Sequence, residues 1–441
     1  MLAIDVGSSS VKAAVLKNGR IAGTLARAPF QSHFEGVRAE VSPPSVLRAV
    51  AAAIAQLGPA GKKVDAIALS VMSPSWVAMD KAGKPLTPIV THQDRRSVQI
   101  ALEIEQKVGK ERHLQIAGNR PFPGGISSTT FAWFKRNEPA LMRRADLVGH
   151  LNTFLHRQIT GARVVDPSNA SFMGVYRTID LGGWSDELCQ AIGLSPQLLP
   201  EVVDAGEVGG HVTRAAAARF GLAEGTPMLV GLVDTGSAML LAGARPGQFV
   251  NVVGTTDVLI VCTDRPKPHE RLLTRALGVG RLWTSVATLA SAGSSLNWMK
   301  EQFFADLTAP AFFRRVDKLA RNPLKTTVRF EPYLAGERTS LEQRQGAFTG
   351  LTLATTREQM LSAVIESLAA ASASRLPLLR AQSPRARHDV LMSGGAAGGL
   401  ARLLHRDWPG KWRFRSEDEA TLRGLALLTA TQRRDANTAE K

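Results

Sequence analysis

The chain has 441 residues, of which 44% are hydrophobic and 21% are charged, as in globular proteins with two or three domains. Only two cysteines occur, which argues against a disulfide scaffold or a zinc module and favours a reducing cytoplasm. The net charge of +16 is spread over dispersed arginines without interleaved aromatic residues, so we expect no specific nucleic-acid partner and consider attraction of anionic substrates simpler. No signal peptide or long apolar stretch is evident, and we predict no membrane partner.

The chain opens with a predicted β-hairpin whose turn is rich in serine. An apolar run leads to Asp5 and Gly7, serines occupy residues 8–10, and a second apolar run extends to Leu16. Lys17-Asn18-Gly19 predicts a further turn, because both central positions of a type I′ turn need positive φ. Glycine beside consecutive hydroxyls can surround phosphate oxygens, and an aspartate there can hold a metal-bound water. An ordinary hairpin with a polar turn explains the same pattern.

The next elements alternate between helix and strand. A helix is predicted for residues 45–57 after Pro43-Pro44. Residues 64–71 form a nearly continuous apolar run, which is typical of a strand buried on both faces. This strand opens into Met72-Ser73-Pro74, and α/β sheets commonly place ligand-binding groups in such a loop.

An acid and a base stand together ahead of the next predicted helix. Asp94 and Arg95 precede a helical pattern over residues 98–108. Asp94 could cap that helix as an acid at its N-terminus. Alternatively, Asp94 and an adjacent arginine could bind substrate hydroxyls, for which a carboxylate and a guanidinium are well suited.

The remainder of the first half is mostly helical by pattern. Helices are predicted for residues 147–160, 186–192 and 213–220. Residues 166–171, DPSNAS, are predicted to form a polar turn.

The second half of the chain begins by repeating the opening device. A buried strand over residues 227–233 delivers Asp234 into a helical run. Strands over residues 249–253 and 258–262 then enclose the polar turn Gly254-Thr255-Thr256. Two hairpins with a glycine and hydroxyls at the tip indicate phosphate binding more strongly than either hairpin alone.

The C-terminal part combines helices with a glycine-rich loop. Helices are predicted for residues 291–304 and 356–379, and a strand over residues 389–392 runs into the loop SGGAAGG. A strand, a glycine-rich loop and a helix together offer backbone N–H groups to a nucleotide, although no Gly-Lys-Ser/Thr follows as in a Walker A motif. The chain ends with a predicted helix over residues 417–429 and a polar tail over residues 432–441.

Eight sequence blocks together resemble the FGGY carbohydrate kinase family of the actin-like ATPase superfamily. In chain order they are AIDVGSSSVKAAV, THQDRRS, GLVDTGSAML, VVGTTDVL, AGSSLNWMK, PYLAGERT, GAFTGLTL and MSGGAAGGL. The resemblance implies an α/β fold with two ribonuclease-H-like domains, each a mixed five-stranded sheet with flanking helices, and an active site in the interdomain cleft. It implies a sugar-binding domain at residues 1–232 and an ATP-binding domain at residues 233–431.

The resemblance also implies roles for individual residues. Asp234 matches the catalytic base, which would contact the sugar and accept the proton of its attacking hydroxyl. Asp5 would lie near Mg²⁺. The positions that match ATP-binding residues are Ser8, Ser9, Ser10, Lys12, Gly254, Thr255, Gly293, Asn297, Gly394 and Gly395. The positions that match the sugar-binding side are Met72, Ser73, Asp94 and Arg95.

The activity that the resemblance implies is ATP-dependent phosphorylation of a terminal hydroxyl of a small sugar, with Mg²⁺ as the metal and a pentulose such as xylulose favoured. Two loops depart from the pattern of pentulose kinases, because residues 71–75 read VMSPS and His92-Gln93 replaces the usual aromatic residue. Gluconate, a heptulose or a polyol is therefore the alternative acceptor. A catalytically weak nucleotide-binding regulator is the alternative from another class, against which the retention of Asp5 and Asp234 argues. We expect a cytoplasmic monomer or homodimer.

Overall fold

A computed structural model describes residues 1–342, 344–394 and 399–428. The chain forms two compact units, and neither is continuous in sequence. The first unit comprises Met1–Arg245, Thr263–Thr284 and the described residues from Glu419 onward, and the second comprises the described residues of Pro246–Cys262 and Ser285–Asp418. The domain limits predicted from the sequence stay a prediction, since compactness alone defines these units.

The strands follow one another along both units. They are β1 (Leu2–Val6), β2 (Ser10–Lys17), β3 (Arg20–Pro29), β4 (Ser32–Glu35), β5 (Arg38–Val41), β6 (Ile67–Val71), β7 (Ser75–Met79), β8 (Ile89–Thr91), β9 (Leu147–Gly149), β10 (Val164–Val165), β11 (Glu201–Val202), β12 (Val208–His211), β13 (Pro227–Leu229), β14 (Leu232–Val233), β15 (Phe249–Val253), β16 (Asp257–Thr263), β17 (Leu273–Ala276), β18 (Trp283–Leu289), β19 (Arg329–Glu331), β20 (Ala347–Thr349), β21 (Asp389–Ser393) and β22 (Arg413–Ser416).

Each described helix is shorter than the longest helix predicted from the sequence, which was residues 356–379. They are α1 (Pro43–Gln56), α2 (Val98–Val108), α3 (Lys110–Ala117), α4 (Ser127–Asn137), α5 (Pro139–Met142), α6 (Leu151–Ile159), α7 (Pro167–Ser171), α8 (Asp186–Ile192), α9 (Arg214–Phe220), α10 (Asp234–Ala242), α11 (Gly293–Phe303), α12 (Ala309–Arg321), α13 (Arg357–Ser374), α14 (Leu376–Arg380), α15 (Gly399–His405) and α16 (Ala420–Leu425), with 3₁₀ turns at Gly58–Gly61 and Pro196–Leu198. Within the described ranges, none has the length and apolar character needed to cross a membrane.

The main sheet of the first unit has the order β12-β13-β6-β1-β2-β3, and β14 also pairs with β6. Strand β1 is antiparallel to β2 and parallel to β6, so the sheet is mixed and the predicted α/β class is confirmed. The sheet has seven strands rather than the expected five. One reason is Gly231, whose φ of 77° interrupts the run predicted as a single strand and separates β13 from β14.

Helices cover the main sheet, and a second sheet completes the first unit. The apolar faces of α1, α6 and α9 pack with β1, β2 and β6 in one core, in which Ile4, Val50, Leu69, Phe154 and Phe220 are buried. The second sheet has the order β4-β5-β8-β7-β9, and its Trp76 packs with Phe134 of α4 in a separate cluster. Burial of these apolar side chains supplies the main driving force for folding of the unit.

The second unit is built on another mixed sheet. Strand β15 is antiparallel to β16 and parallel to β21, and β21 is parallel to β22. Strand β18 begins in the first unit and runs into the second. Leu361, Val364, Ile365 and Leu368 are buried at spacings of three and four residues on α13, which gives this helix its core-facing side.

Local chemistry explains the element limits that were predicted closely. Asn18 and Gly19 have φ values of 49° and 72°, as the predicted turn requires. Helix α8 begins after Ser185, whose side chain accepts a hydrogen bond from Leu188 N, and ends at the left-handed Gly193. The observed bounds of α2 and of α8 are those predicted from the sequence.

Three predicted elements were wrong in detail. The predicted helix over residues 147–160 is strand β9 followed by α6, because the first three residues pair with β7. The predicted turn over residues 166–171 contains α7, which Asp166 caps. The predicted helix over residues 356–379 divides into α13 and α14, and Pro377 lies in the first turn of α14, where its missing N–H is tolerated.

Candidate active site

Three strands of the first unit end side by side, and each places a polar side chain at or next to its end. Strand β1 runs parallel to β6 with Asp5 opposite Ser70, and β14 runs parallel to β6 with Val233 opposite Val71. Asp234 follows β14 directly and begins helix α10. Because the carboxyl ends of parallel strands share one sheet edge, the metal candidate and the base candidate lie at the same edge.

Asp5 is a buried carboxylate whose nearest partner is a hydroxyl rather than a cation. It is 7% exposed, and its Oδ1 accepts a hydrogen bond of 2.6 Å from Ser70 Oγ. Burial is the main reason that the pKa of Asp5 is raised to about 6, and the negative charges of Asp234 and Glu419 act in the same direction, against Ser70 and Lys12. Around Asp5, the two acids Asp234 and Glu419 therefore outnumber the one cation, Lys12.

The remaining oxygen of Asp5 is available to a metal. Its Oδ2 accepts no hydrogen bond from the described residues and is not among the buried polar atoms that lack a partner, so solvent reaches it. The described ranges contain no group of three or more His, Cys, Asp and Glu residues arranged to hold a metal ion. Mg²⁺ commonly takes one or two carboxylates and completes its shell with water and phosphate oxygens, so Asp5 fits a nucleotide-bound Mg²⁺.

Lys12 stands beside Asp5 but already has an anionic partner. The two residues face each other in the β1–β2 register, and Lys12 Nζ donates to Glu419 Oε2 at 2.6 Å. Glu419, just ahead of α16, was missed by sequence reasoning, which interpreted the acids before the last helix only as its start. The contact between Lys12 and a phosphate stays a prediction. An ammonium group has three donors, so two remain for a phosphate oxygen after the bond to Glu419.

The serine turn between β1 and β2 leaves two hydroxyls exposed. Gly7 N donates to Ser10 O at 3.1 Å and closes the turn. The side chains of Ser8 and Ser9 are exposed and donate no hydrogen bond within the described ranges. Ser10 is buried, and its Oγ accepts a hydrogen bond of 3.2 Å from Arg27 Nε. Of the three serines, the first two are thus the ones free to meet a ligand.

A buried polar network supports the backbone just ahead of Asp234. Val233 N donates to Ser168 Oγ at 3.1 Å, and Ser168 Oγ donates to Asp166. Asp166 caps α7 and also accepts from Asn169 Nδ2 at 2.5 Å, and burial raises the pKa of Asp166 to about 6. Sequence reasoning missed this network, although an aspartate followed by proline at the first helical position is a usable N-cap signal.

The predicted sugar-binding residues Met72 and Ser73 lie at the end of β6, next to the same network. Met72 N extends the pairing of β6 with β1 by donating to a carbonyl oxygen at 2.8 Å. Ser73 Oγ donates to Asn169 Oδ1, and the Ser73-Pro74 peptide bond is cis. The structure thus connects Ser73 with the residues that support Asp234, while sugar binding by Met72 and Ser73 stays a prediction.

Asp94 and Arg95 are both engaged in contacts within the protein, with their own loop and with segments elsewhere in the chain. Asp94 is 1% exposed, and its two oxygens accept hydrogen bonds from Ala39 N at 2.8 Å and from Arg96 Nη2 at 2.7 Å and Nε at 3.0 Å. Arg95 Nη1 donates to three backbone carbonyl oxygens at 2.9, 3.0 and 3.1 Å. The alternative that Asp94 caps the next helix is wrong, because Ser97 precedes α2. Sugar binding by Asp94 and Arg95 stays a prediction.

Arg275 is a buried cation near the candidate base that sequence reasoning missed. It lies on β17, is 5% exposed, and donates from Nη2 to Oγ1 of Thr235, the residue after Asp234, at 2.7 Å. Burial lowers the pKa of Arg275 to about 10, against the charges of Asp234 and Asp166. An arginine inside the otherwise uncharged run LLTRAL was the available signal.

In the second unit, the turn between β15 and β16 is fixed against the start of helix α11. The carbonyl oxygen of Gly254 accepts from Gly293 N at 3.2 Å, and that of Thr255 accepts from Ser294 N at 3.2 Å. These contacts satisfy N–H groups that a helix N-terminus leaves without an intrahelical partner. The side chain of Thr255 remains exposed, as a phosphate contact would require.

Two of the predicted nucleotide-binding glycines are required by close backbone approach. A Cβ atom at Gly293 would lie 2.5 Å from Gly254 O, and one at Gly394, where φ is 106°, would lie 2.3 Å from the last carbonyl oxygen of β15. Asn297 is exposed on α11. Gly395 lies outside the described residues. The structure brings Gly254, Gly293 and Gly394 close together, while ATP binding there stays a prediction.

A buried ion pair lies beneath this turn. The Asp257 carboxylate, which is fully buried, accepts from Arg375 Nη2 and from Asn251 Nδ2, the latter at 2.6 Å. Arg375 Nη1 also donates to the backbone oxygen of Asp257 at 3.0 Å, and His405 Nε2 lies 2.7 Å from Asn251 Oδ1. Sequence reasoning did not identify this cluster, whose members are far apart in the chain.

Both halves of the chain match sequence models of known domains. The N-terminal domain of the FGGY family of carbohydrate kinases matches residues 1–241. The C-terminal domain of the same family matches residues 249–432.

Individual relatives and a solved structure agree with these matches. The chain is 26% identical to a gluconokinase of Bacillus subtilis over 385 residues, covering 83% of this chain and 74% of the relative. It is also 26% identical to a xylulose kinase of Escherichia coli over 422 residues, covering 93% and 85%. A xylulose kinase structure from Rhodospirillum rubrum shares the fold, with a TM-score of 0.84 at 24% identity, over 98% of this chain and 89% of that one.

Proposed function

Because the chain belongs to the FGGY family of carbohydrate kinases and is thereby an ATP-dependent sugar kinase, we propose that Asp234 is the general base that activates the acceptor hydroxyl. The observation that carries this proposal is the placement of Asp234 at the end of β14, on the sheet edge that also presents Asp5. A carboxylate at the carboxyl end of a parallel strand is accessible to a ligand beyond that edge.

The proposed reaction transfers the γ-phosphoryl group of ATP to a terminal hydroxyl of a small sugar or sugar acid. The Asp234 carboxylate accepts the hydroxyl proton, the oxygen forms a bond to the γ-phosphorus, and the bond between that phosphorus and the ADP oxygen breaks. Thr235 N donates to Asp234 Oδ1 at 2.6 Å, and Ser168 holds the preceding peptide, so the carboxylate is oriented before the acceptor arrives.

Residues of each unit are proposed to hold MgATP. In the first unit, Asp5 would hold Mg²⁺, which screens the phosphate charge when bound. The exposed hydroxyls of Ser8 and Ser9 support a phosphate contact at the serine turn. The predicted contacts of Ser10 and Lys12 would come from the start of β2, which follows that turn. The positions proposed for the second unit are Gly254, Thr255, Gly293, Asn297, Gly394 and Gly395.

Two acceptor classes have specific support. The xylulose kinase relatives support a pentulose such as xylulose, which the sequence also favours. The gluconokinase relatives support a six-carbon sugar acid such as gluconate. The two differ in charge, so a positively charged side chain near the base would distinguish them.

A cytoplasmic location is proposed as well. The chain has only two cysteines, Cys189 and Cys262, and both are buried, as expected of a protein from a reducing compartment. Whether the chain is a monomer or a homodimer stays a prediction.

The experiment that tests the base is Asp234→Asn, assayed by ADP release with xylulose and with gluconate. We expect kcat to fall by at least about 10³-fold with little change in the Kd for ATP, because the amide keeps the shape of the carboxylate but cannot take the proton. Asp186→Asn is the matched control, since Asp186 occupies the first position of α8 as Asp234 does in α10, and its side chain is exposed.

Retained turnover by Asp234→Asn would contradict the assignment of the base. If the unaltered chain binds ATP but releases no ADP with a panel of ketoses, polyols and sugar acids, the nucleotide-binding regulator would be the correct class instead.

A further inference from the structure

Arg275 is held among neutral groups in the interior of the first unit. Its Nε donates to Thr284 Oγ1 at 3.0 Å and its Nη2 to Thr235 Oγ1 at 2.7 Å. The guanidinium carbon lies 5.4 Å from the centre of the Phe172 ring. Two hydroxyls and an aromatic face fix the orientation of the guanidinium but do not neutralise its charge.

No carboxylate compensates this charge by direct contact. Among the described residues Arg275 forms no ion pair, although it is only 5% exposed. The buried Arg375 of the second unit, by contrast, is paired with Asp257. The charge of Asp166 favours the charged guanidinium, but Asp166 forms no ion pair with Arg275, and its oxygens accept from Ser168 and Asn169. A cation taken out of water without a contacting anion is costly, which makes the site receptive to an anion.

One donor of Arg275 faces a space that solvent can enter. Its Nη1 donates to no group in the described part of the chain. Nη1 is also not among the buried polar atoms that lack a partner, so the small exposed fraction of the side chain includes this atom. The neighbouring Nη2 contacts the residue next to Asp234, so this space lies beside the proposed base.

We infer that Arg275 binds a carboxylate of the acceptor, so that the acceptor is a sugar acid rather than a neutral ketose or polyol. This inference rests on the proposed function, because it assumes that the acceptor hydroxyl lies at Asp234. A guanidinium edge matches a carboxylate in geometry and in charge, whereas a sugar hydroxyl would leave the buried charge uncompensated. The competing role is structural, in which Arg275 only balances the nearby charges of Asp234 and Asp166.

The test compares acceptors that differ in one group. ADP release is measured with gluconate and with glucitol, which differ at the carboxylate carbon, and with xylulose. We expect kcat/KM of the unaltered chain to be about 100-fold higher for gluconate than for glucitol, since losing one partner of a buried charged hydrogen bond weakens binding by about 30-fold or more. Arg275→Gln should lose that preference through KM for gluconate, so that kcat/KM falls by about 100-fold more for gluconate than for the neutral acceptors.

Two further variants separate charge from packing. Arg275→Lys should retain part of the gluconate preference, because it keeps the charge but loses the fork geometry. Arg281→Gln removes an exposed arginine from the segment between β17 and β18 and should behave like the unaltered chain. Equal losses on all three acceptors would show that Arg275 only positions Asp234, and an unchanged preference, or equal use of gluconate and glucitol, would also overturn the inference.

A binding measurement makes failure of this inference distinguishable from failure of the proposed function. Gluconate is titrated by calorimetry into the unaltered chain and into Arg275→Gln without ATP. If no acceptor is phosphorylated, the proposed function fails, yet gluconate binding that Arg275→Gln weakens by about 100-fold would still support the carboxylate site. Absence of gluconate binding to the unaltered chain would overturn the inference that Arg275 binds a carboxylate of the acceptor. If Arg275→Gln does not fold, Arg275→Lys and the acceptor preference of the unaltered chain decide.

Discussion

The two hairpins that looked alike in sequence carry their buried acids in opposite electrostatic settings. Each hairpin is closed by a glycine N–H, from Gly7 to Ser10 O at 3.1 Å and from Gly254 to Thr256 O at 2.9 Å. Each leaves a hydroxyl-bearing side chain exposed at its tip. The first hairpin contains Asp5 and the second contains Asp257, and both acids are buried.

The difference lies in what compensates each carboxylate. Asp257 is paired with the buried Arg375 and receives a further hydrogen bond from Asn251. Burial raises the pKa of Asp5 to about 6, and the negative charges of Asp234 and Glu419 act in the same direction, against the single hydroxyl of Ser70 and the charge of Lys12. The comparison indicates that Asp257 stabilises its turn, whereas Asp5 keeps its charge available for a ligand at the expense of stability.

The largest expected effect on stability comes from removing Arg375, the cation that compensates the buried Asp257 carboxylate. Arg375→Met should lower the free energy of unfolding of the second unit by about 3–5 kcal/mol, because it leaves Asp257 charged, buried and without its cation. Chemical unfolding followed by tryptophan fluorescence measures the loss. The double variant Asp257→Asn with Arg375→Met should recover much of it, since no uncompensated charge then remains.

The control for this pair is an exposed ion pair of the same unit. Arg357 and Asp306 form one at 2.7 Å with both side chains about half exposed, and Arg357→Met should hardly change stability. If Arg375→Met is as harmless as Arg357→Met, the two hairpins do not differ as described.

The second prediction is a gain in the free energy of unfolding rather than a loss. Asp5→Asn should stabilise the first unit by up to about 3 kcal/mol at pH 8, because the raised pKa means that the ionised carboxylate disfavours the folded state. The ordinary pKa of 3.8 rises to about 6 on folding, so stability from this group falls as pH rises between these values and the penalty is complete above them. The gain should therefore shrink at pH 5, and ADP release should be lost.

Urea unfolding at both pH values measures this gain. Asp65→Asn is the control, since Asp65 is an exposed acid just ahead of β6 and should show neither the stabilisation nor the loss of activity. Destabilisation by Asp5→Asn at pH 8 would show that the carboxylate is structural, as Asp257 is.

The sequence was sufficient for both hairpins and for much of their surroundings. Alternating apolar runs, the Asn18-Gly19 turn and the N-cap at Ser185 specify elements through contacts within a few residues, so their limits follow from local rules. The order of eight blocks led to the family. The candidate base was placed at the end of a buried strand, where the structure has it.

The electrostatic difference between the hairpins could not be predicted, because it depends on distant partners. Ser70 is 65 residues from Asp5, Arg375 is 118 residues from Asp257, and Glu419 is 407 residues from Lys12. No local sequence pattern indicates which buried carboxylate will form an ion pair with a cation. The same reason explains why Arg275 was missed, since its environment is assembled from segments far apart in the chain.

The smallest expected effect on stability tests what the two hairpins share. A Cβ atom at Gly7 would lie 3.6 Å from Ser10 O, an ordinary contact, and one at Gly254 would meet nothing within 4 Å. Neither glycine has a positive φ, so Gly7→Ala and Gly254→Ala should each change stability by less than about 0.5 kcal/mol. Gly394→Ala is the contrasting control, because its Cβ would lie 2.3 Å from a backbone oxygen at a φ of 106°.

Since packing does not require glycine at either tip, the reason for it would be close approach of phosphate oxygens to the backbone. KM for ATP should then rise by at least about 10-fold in both variants while their unfolding curves stay unchanged. An effect at one tip only would mean that the two turns share a shape but not a ligand. An unchanged KM for ATP in both would remove the phosphate contact from both turns and leave them as ordinary hairpins.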